Sequence, residues 1–234
     1  MIHFDLWFIL IFVFTMAFSL IAAARVKSAF HKWSQVPAGS GETGASCAQR
    51  ILDAAGIDDV EIVPGDSFLG DHYDPIHKRL VLSPDNFQGN SAAALGIAAH
   101  ECGHAIQHKM AYAPLKWRMA SVGATTYANQ VITWMPLIFL FTGMLAPKTA
   151  FLIMGCAWGV VMLFNLITLP VEFDASRRAV IILDKMSFLR TEEAQIGVRK
   201  VLNAAAWTYV AAFVTSLLYT LYYLLPLILG NRRN

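Results

Sequence analysis

The stretch LWFILIFVFTMAFSLIAAA, residues 6–24, contains no charged side chain and is almost wholly apolar. A helix needs about 20 such residues to cross the hydrocarbon core of a bilayer. A secretory signal peptide is the alternative interpretation, but the apolar stretch is long, and Asp5 stands where a signal peptide carries basic residues. The stretch therefore predicts a membrane-spanning helix.

Three further runs without Lys, Arg, Asp or Glu follow, at residues 119–147, 149–171 and 201–231. The first of them is apolar chiefly over residues 131–145. Because only Pro147 and Lys148 separate the second and third spans, we expect these two to form a tight antiparallel hairpin. The predicted fold class is an α-helical membrane protein with about four transmembrane helices.

The composition agrees with a membrane protein. Hydrophobic residues make up 56% of the 234 residues and charged residues 15%, whereas soluble domains have about 45–50% and about 25%. A net charge of +2 argues against a nucleic-acid partner. Three scattered cysteines, Cys47, Cys102 and Cys156, are too few for a disulfide framework or a thiolate zinc site.

The charge pattern divides the chain into five segments. They are a transmembrane helix (1–24), a polar module (25–118), a transmembrane hairpin (119–171), a second polar segment (172–200) and a C-terminal transmembrane helix (201–234). The polar segments hold every Lys and Arg except Lys148, Arg232 and Arg233. By the positive-inside rule we expect a multi-pass membrane protein with its polar module in the cytoplasm, although Arg232 and Arg233 oppose this orientation.

The first polar module has the pattern of a small α+β unit. Helical spacing over residues 46–55 stops at Gly56, and residues 59–63 and 78–83 are typical of strands. Asn90 or Ser91 can cap an alanine-rich helix that runs to about Met110. We expect a zincin-like catalytic module.

That helix contains the sequence HECGH, residues 100–104. His100 and His104 are four residues apart, so both rings project from one face and can reach a single Zn²⁺. Glu101 lies beside them and can hold the metal's water as a general base. Gly103 is small and leaves room beside the metal, and Cys102 points away from the histidine face as a packing residue. One zinc ion per chain is the predicted cofactor.

A catalytic zinc site needs a third protein ligand. His108 lies one further turn along the same face, but it is far from the other two histidines, and a partly solvated histidine is the simpler interpretation. Glu172 stands where the third predicted span ends and is the better candidate. Its alternative role is that of an interfacial charge that anchors the helix end.

A peptidase site also needs a donor for the oxyanion, and Arg177, His72 and Tyr73 are candidates for oxyanion or substrate contacts. For His72 and Tyr73, packing of the turn at residues 71–75 is an equally good interpretation. The strand at residues 78–83 could pair with an extended substrate as an edge strand.

The chain resembles the YugP-like membrane-bound neutral zinc metallopeptidases of bacteria over essentially its whole length. The residues that carry the resemblance are LGDHYDP (69–75), LVLSPDNF (80–87), AAHECGHAIQ (98–107) and LPVEFDASRRA (169–179). More distantly it is similar to the HtpX and CAAX-prenyl membrane peptidases, in which a later glutamate completes a His-His-Glu site.

The resemblance implies roles for single residues. It makes His100 and His104 zinc ligands, Glu101 the base and Glu172 the third ligand. The sequence departs from the family pattern at Ser176, where an aspartate is typical. The residue that orients the ligands is therefore open, with Asp174 a candidate substitute.

The predicted function is a membrane-embedded zinc endopeptidase acting on membrane or membrane-proximal polypeptides. An intramembrane-cleaving protease is disfavoured, because the weakly apolar residues before His100 are too few to cross a bilayer. A zinc-binding scaffold or assembly factor is the non-enzymatic alternative, which Glu101 argues against. Besides substrate and lipid bilayer, a second copy or a membrane protein is a candidate partner, since Gly143, Gly155 and Gly159 allow close helix approach.

Overall fold

The computed structural model describes residues 6–67, 70–143 and 146–230, which are mostly helical. Seven helices and three strands occur in this part of the chain. In order they are α1 (Leu6–Trp33), α2 (Gly44–Ala54), β1 (Glu61–Pro64), β2 (His72–Asp74), β3 (Arg79–Leu82), α3 (Pro84–Gln88), α4 (Ala92–Lys109), α5 (Ala113–Thr142), α6 (Pro147–Lys185) and α7 (Glu192–Gly230). They form two compact units.

The polar unit comprises residues 22–116 and 170–207 and brings the two charged segments of the sequence together. Its sheet has the order β1-β3-β2, with β1 parallel and β2 antiparallel to β3. Since β3 lies in the middle, the prediction that the strand at residues 78–83 offers a free edge to a substrate is wrong. The outer strands are β1 and β2.

The core of the polar unit lies between the sheet and the alanine-rich helix α4. Leu80 and Leu82 of β3 are fully buried, as are Leu95 and Cys102 of α4. Ser91 caps α4 by accepting a hydrogen bond from the amide of Ala94 at 3.1 Å, so the prediction of a cap at Asn90 or Ser91 is confirmed at Ser91. This cap and the buried apolar face fix the position of the HECGH sequence.

The apolar unit comprises residues up to 21, residues 117–169 and those from 208 onwards. Among the described residues, α1, α6 and α7 are long and apolar enough to cross a membrane. The second predicted span lies in α5, which is not one of the three. Asn129 and Gln130 lie near the middle of α5, and the apolar part that begins at Val131 is shorter than the roughly 20 residues that span a bilayer.

Helices α6 and α7 pack closely in the apolar unit. A Cβ on Gly155 would lie 2.3 Å from Cδ2 of Leu224, and Trp158 stacks on Tyr219 with ring centroids 4.5 Å apart. The close approach expected at Gly155 is therefore made within the chain. Association with a second copy stays a prediction and would need another face. Arg232 and Arg233, which bear on the orientation, lie outside the described residues.

Candidate metal centre

Helix α4 presents two histidines from one face. The rings of His100 and His104 are nearly perpendicular, at 83°, with centroids 4.8 Å apart. Their side chains are only 13% and 10% exposed. The i, i+4 spacing therefore produces the neighbouring rings that the sequence predicts.

Helix α6 brings Glu172 to these histidines. Its Oε2 atom lies 3.4 Å from Nε2 of His100 and 3.7 Å from Nε2 of His104, and the side chain is 2% exposed. His100, His104 and Glu172 thus form a group that could hold a metal ion.

Gly103 allows the helices to approach at this point. A Cβ on Gly103 would lie 2.9 Å from the carbonyl oxygen of Ala175 and 3.1 Å from its Cα atom. The room that Gly103 leaves, expected beside the metal, is thus taken by the backbone of α6. Glu172 stands one turn before Ala175, so the close contact sets how near the carboxylate comes to the histidines.

The three donor atoms fit zinc. A tetrahedral ion with bonds of about 2.0–2.1 Å places neighbouring ligand atoms about 3.4 Å apart. The two Nε2–Oε2 distances are close to this separation. Two imidazoles and one carboxylate are also the ligand set of known catalytic zinc sites, which leave a fourth position open.

Gln107 orients His104. The Gln107 Nε2 atom donates to the carbonyl oxygen of Val171 at 2.8 Å and to Oδ2 of Asp174 at 2.9 Å. Its Oε1 atom is therefore the acceptor for Nδ1–H of His104, at 3.0 Å. Nδ1 therefore carries a proton in either charge state, and Nε2, which faces Glu172, is the nitrogen that offers a lone pair when the ring is neutral.

Ser176 orients His100. Its Oγ atom lies 3.1 Å from Nδ1 of His100. The position where the resembled family has an aspartate is thus still next to a ligand histidine, with a hydroxyl in place of the carboxylate. Asp174, the candidate substitute, contacts neither histidine in the described hydrogen bonds and reaches His104 through Gln107.

Sequence reasoning missed Gln107. The available signal was its position three residues after His104, which places both side chains on the same helix face. A buried amide that follows a histidine at this spacing can bond to its ring. Gln107 is completely buried, which excludes a solvent role.

The carboxylate of Asp174 is 6% exposed and is balanced by two guanidinium groups. Arg178 donates from Nε to Oδ2 at 2.5 Å, and Arg177 donates to Oδ1. The predicted oxyanion donor Arg177 is therefore engaged with Asp174, while its side chain is 70% exposed.

The electrostatics of His104 favour its charged form. Burial alone lowers the pKa of the ring, but the hydrogen bond to Glu172 and the negative charges of Glu101 and Glu172 outweigh it, and the pKa stands above its ordinary value of 6.5. Glu101 is itself buried and acts on His104 through its charge. The predicted base thus lies beside the candidate metal group.

Other predicted residues lie away from the group. His108 faces Tyr73, whose hydroxyl oxygen is 2.9 Å from Nδ1 of the ring. His72 is exposed, and its Nδ1 atom lies 2.8 Å from the carbonyl oxygen of Gly70. The structure does not bring His72, Tyr73 or His108 into the group that could hold a metal.

Cys102 is a packing residue, as the sequence predicts. It is completely buried, its Sγ atom lies 3.7 Å from the carbonyl oxygen of Ala48, and burial raises the pKa of the thiol well above its ordinary value.

Comparison with known proteins gives two matches over most of the chain. A family described as "Putative neutral zinc metallopeptidase" matches residues 8–228. A Bacillus subtilis (strain 168) protein named "Putative membrane protease YugP" is 41% identical over 228 residues, which are 97% of this chain and 99% of the relative. No solved structure matches significantly.

Proposed function

The chain belongs to the neutral zinc metallopeptidase family, and from this premise we propose that it is a membrane-embedded zinc endopeptidase. Its substrates would be membrane or membrane-proximal polypeptides. The observation that carries the proposal is the convergence of His100, His104 and Glu172, with Glu101 beside them.

His100 and His104 would hold one zinc ion per chain through Nε2, and Glu172 would hold it through Oε2. When bound there, zinc supplies a Lewis acid that polarises a carbonyl and lowers the pKa of a water molecule. Gln107 and Ser176 keep the two rings oriented, so the donor atoms are in place before the ion arrives.

Glu101 would move the proton. Its carboxylate takes a proton from the attacking water and passes it to the amine that leaves. The buried position of Glu101 supports this role, since a carboxylate shielded from bulk water exchanges its proton with the reacting groups.

Tyr73 remains a proposed substrate contact. It lies on the outer strand β2, and its hydroxyl group contacts His108 on the zinc helix. His72 on the same strand and Arg177 on α6 also remain proposed contacts for the substrate or the oxyanion.

We propose four membrane spans. His100 and Glu172 lie in one group, so the chain before α5 and the chain after residue 171 must be on the same side of the membrane. The residues between them then cross an even number of times. Because α6 can cross, α5 must cross as well, in spite of its polar N-terminal half.

The distribution of Lys and Arg supports a bacterial plasma-membrane protein with the polar unit in the cytoplasm. Lys148 would then mark the opposite side, together with the connection between α5 and α6.

Metal analysis combined with a casein-hydrolysis assay tests the proposal. Glu101→Gln should retain stoichiometric zinc and lose nearly all hydrolysis, because Glu101 acts on the water and not on the metal. Glu172→Ala should purify zinc-poor, because one of three ligands is lost.

Wild-type protein that binds zinc but hydrolyses nothing would favour the scaffold interpretation. Full activity of Glu101→Gln would exclude the proposed base. Normal zinc content in Glu172→Ala would show that Glu172 is not a ligand.

A further inference from the structure

A groove of about 400 Å³ lies between α6 and α7 in the polar unit. Its lining includes three cationic side chains, Arg177, Lys185 and Arg199, and one carboxylate, Asp184. All four are exposed. This groove, called the basic groove below, offers a net positive charge to its occupant.

The basic groove also has an apolar lining. Phe173 and Ile181 contribute it from α6, and Leu202 and Ala206 contribute it from α7. A small inorganic anion would satisfy only the charges and an apolar peptide only the remaining surface. An anionic amphiphile satisfies both.

The places of the lining residues in the sequence indicate which amphiphile occurs near the groove. Phe173 follows the charge-free run 149–171 almost directly, and Leu202 and Ala206 stand at the start of the run 201–231. Both helices therefore continue from the groove into candidate membrane spans. Phospholipids are the anionic amphiphiles that occur where such spans leave the bilayer.

The groove is poorly placed for the peptide that is to be cleaved. Ser176 lines it and contacts Nδ1 of His100. The reacting side of His100 is Nε2, which faces Glu172. The groove thus approaches the ring from the side opposite to the metal donors.

We propose that the basic groove binds the headgroup of an anionic phospholipid, with the first part of an acyl chain against Phe173 and Leu202. Lys185 and Arg199 hold the phosphate, since Arg177 is engaged with Asp174. This binding site goes beyond the proposed peptidase function and does not depend on it.

Titration of the full-length protein in detergent with dioctanoyl phosphatidylglycerol, followed by calorimetry, tests the site. Arg199→Gln should weaken binding about tenfold, because a charge-assisted hydrogen bond to phosphate is lost. Lys200→Gln is the matched control. Lys200 is the next residue along α7, is also exposed and does not line the groove. The affinity of Lys200→Gln for the lipid should therefore stay within about twofold of that of the wild type.

Two further ligands identify the source of the phosphate. Dioctanoyl phosphatidylcholine and glycerophosphoglycerol should both bind at least about tenfold more weakly, because one lacks the net charge and the other lacks the acyl chains. Equal binding of the neutral lipid, equal binding of the headgroup alone, or equal loss in Lys200→Gln and Arg199→Gln would overturn the proposal. Displacement of the lipid by a stronger-binding acidic peptide would also overturn it.

Discussion

Gln107 determines which nitrogen of His104 carries a proton. Two acceptors, the carbonyl oxygen of Val171 and Oδ2 of Asp174, both require the amide nitrogen, so the amide cannot be reversed without two repulsive contacts. Such partners of a histidine fix its tautomer and its orientation, so that in the neutral ring the other nitrogen is the one available to a metal. Gln107 therefore prepares His104 for a metal.

We expect Gln107→Ala to weaken zinc binding about 10- to 100-fold, because the ring of His104 loses its partner. Chelator competition on the folded protein measures this affinity. Gln49→Ala is the control, since Gln49 is an exposed glutamine on α2 that bonds only to Asp53 in the described hydrogen bonds. If folded Gln107→Ala binds zinc as the wild type does, Gln107 serves only the stability of the fold.

The raised pKa of His104 predicts a pH-dependent response to zinc. In the zinc-free protein, the charged pair with Glu172 stabilises the fold fully below the ordinary pKa of 6.5, and this contribution is lost as the pH rises through the raised pKa. Zinc requires the neutral ring and must expel the proton. The increase in Tm on adding zinc should therefore be larger at about pH 8.5 than at about pH 6.

Glu101→Gln provides the control for the pH dependence. It removes one of the negative charges that raise the pKa of His104. The pH range over which the zinc-induced increase in Tm becomes larger should then move to lower values. A zinc effect that is equal at both pH values would contradict the assigned charge state of His104.

At the residue scale, site residues that are close together in the sequence were easier to predict than those that are far apart. His100, Glu101 and His104 followed from helix periodicity alone. Glu172 lies far beyond them. Its place at the end of the third predicted span made it a better candidate than His108, and the family resemblance gave it the role of third ligand. Ser176 was noted only as a departure from that pattern, because its contact with His100 is made between two helices.

Helix α6 carries both a charge-free run and Glu172, the proposed third metal ligand. Its distance from α4 is limited by Gly103, where a Cβ would meet the backbone of Ala175 and not a flexible side chain. Backbone cannot give way locally, so a larger residue must push the whole helix. The position of Glu172 thus depends on the absence of a side chain at Gly103.

Gly103→Ala should lower the free energy of unfolding by about 1–3 kcal/mol through overpacking. It should also weaken zinc binding at least about tenfold, since Glu172 moves with α6. Gly123→Ala in α5 is the control, because a Cβ there meets nothing within 4 Å; it should leave zinc affinity unchanged. Thermal unfolding and chelator competition measure both effects, and normal zinc binding by Gly103→Ala would exclude the proposed spacing role.

The sheet shows why strand positions are easier to predict than strand order. The alternating pattern at residues 59–63 and 78–83 corresponds to β1 and β3. The short strand β2 (His72–Asp74) lay within a predicted turn, and its pairing with β3 makes β3 the central strand. The pairing of β2 with β3 is a local hairpin across residues 75–78, and it was missed because three residues are too few to show an alternating apolar pattern. The parallel pairing of β1 with β3 joins residues that are distant in sequence, which no local pattern contains.

At the scale of the whole molecule, four spans can be distinguished from three by the side on which cysteines react. In a Cys156→Ser background, Asp58→Cys and Glu193→Cys should be shielded from an impermeant reagent in intact cells, and Lys148→Cys should be labelled. All three positions are exposed, and Cys47 and Cys102 are buried. Labelling of Glu193→Cys alone, with Asp58→Cys and Lys148→Cys both unlabelled, would mean that α5 does not cross. Labelling of Asp58→Cys and Glu193→Cys with Lys148→Cys unlabelled would invert the orientation.

The number of residues between the HECGH sequence and Glu172 also determines how much time passes between the synthesis of the two. A ribosome adds roughly 5–20 residues per second, so on the order of several seconds pass between the synthesis of His104 and that of Glu172. During this interval the ribosome makes α5 and the part of α6 that precedes Glu172, and only two of the three proposed metal donors exist. On the proposed function and topology, a newly made chain therefore has no complete zinc site until the two helices after the HECGH sequence have been made and inserted, so that hydrolysis cannot begin until most of the chain has been synthesised.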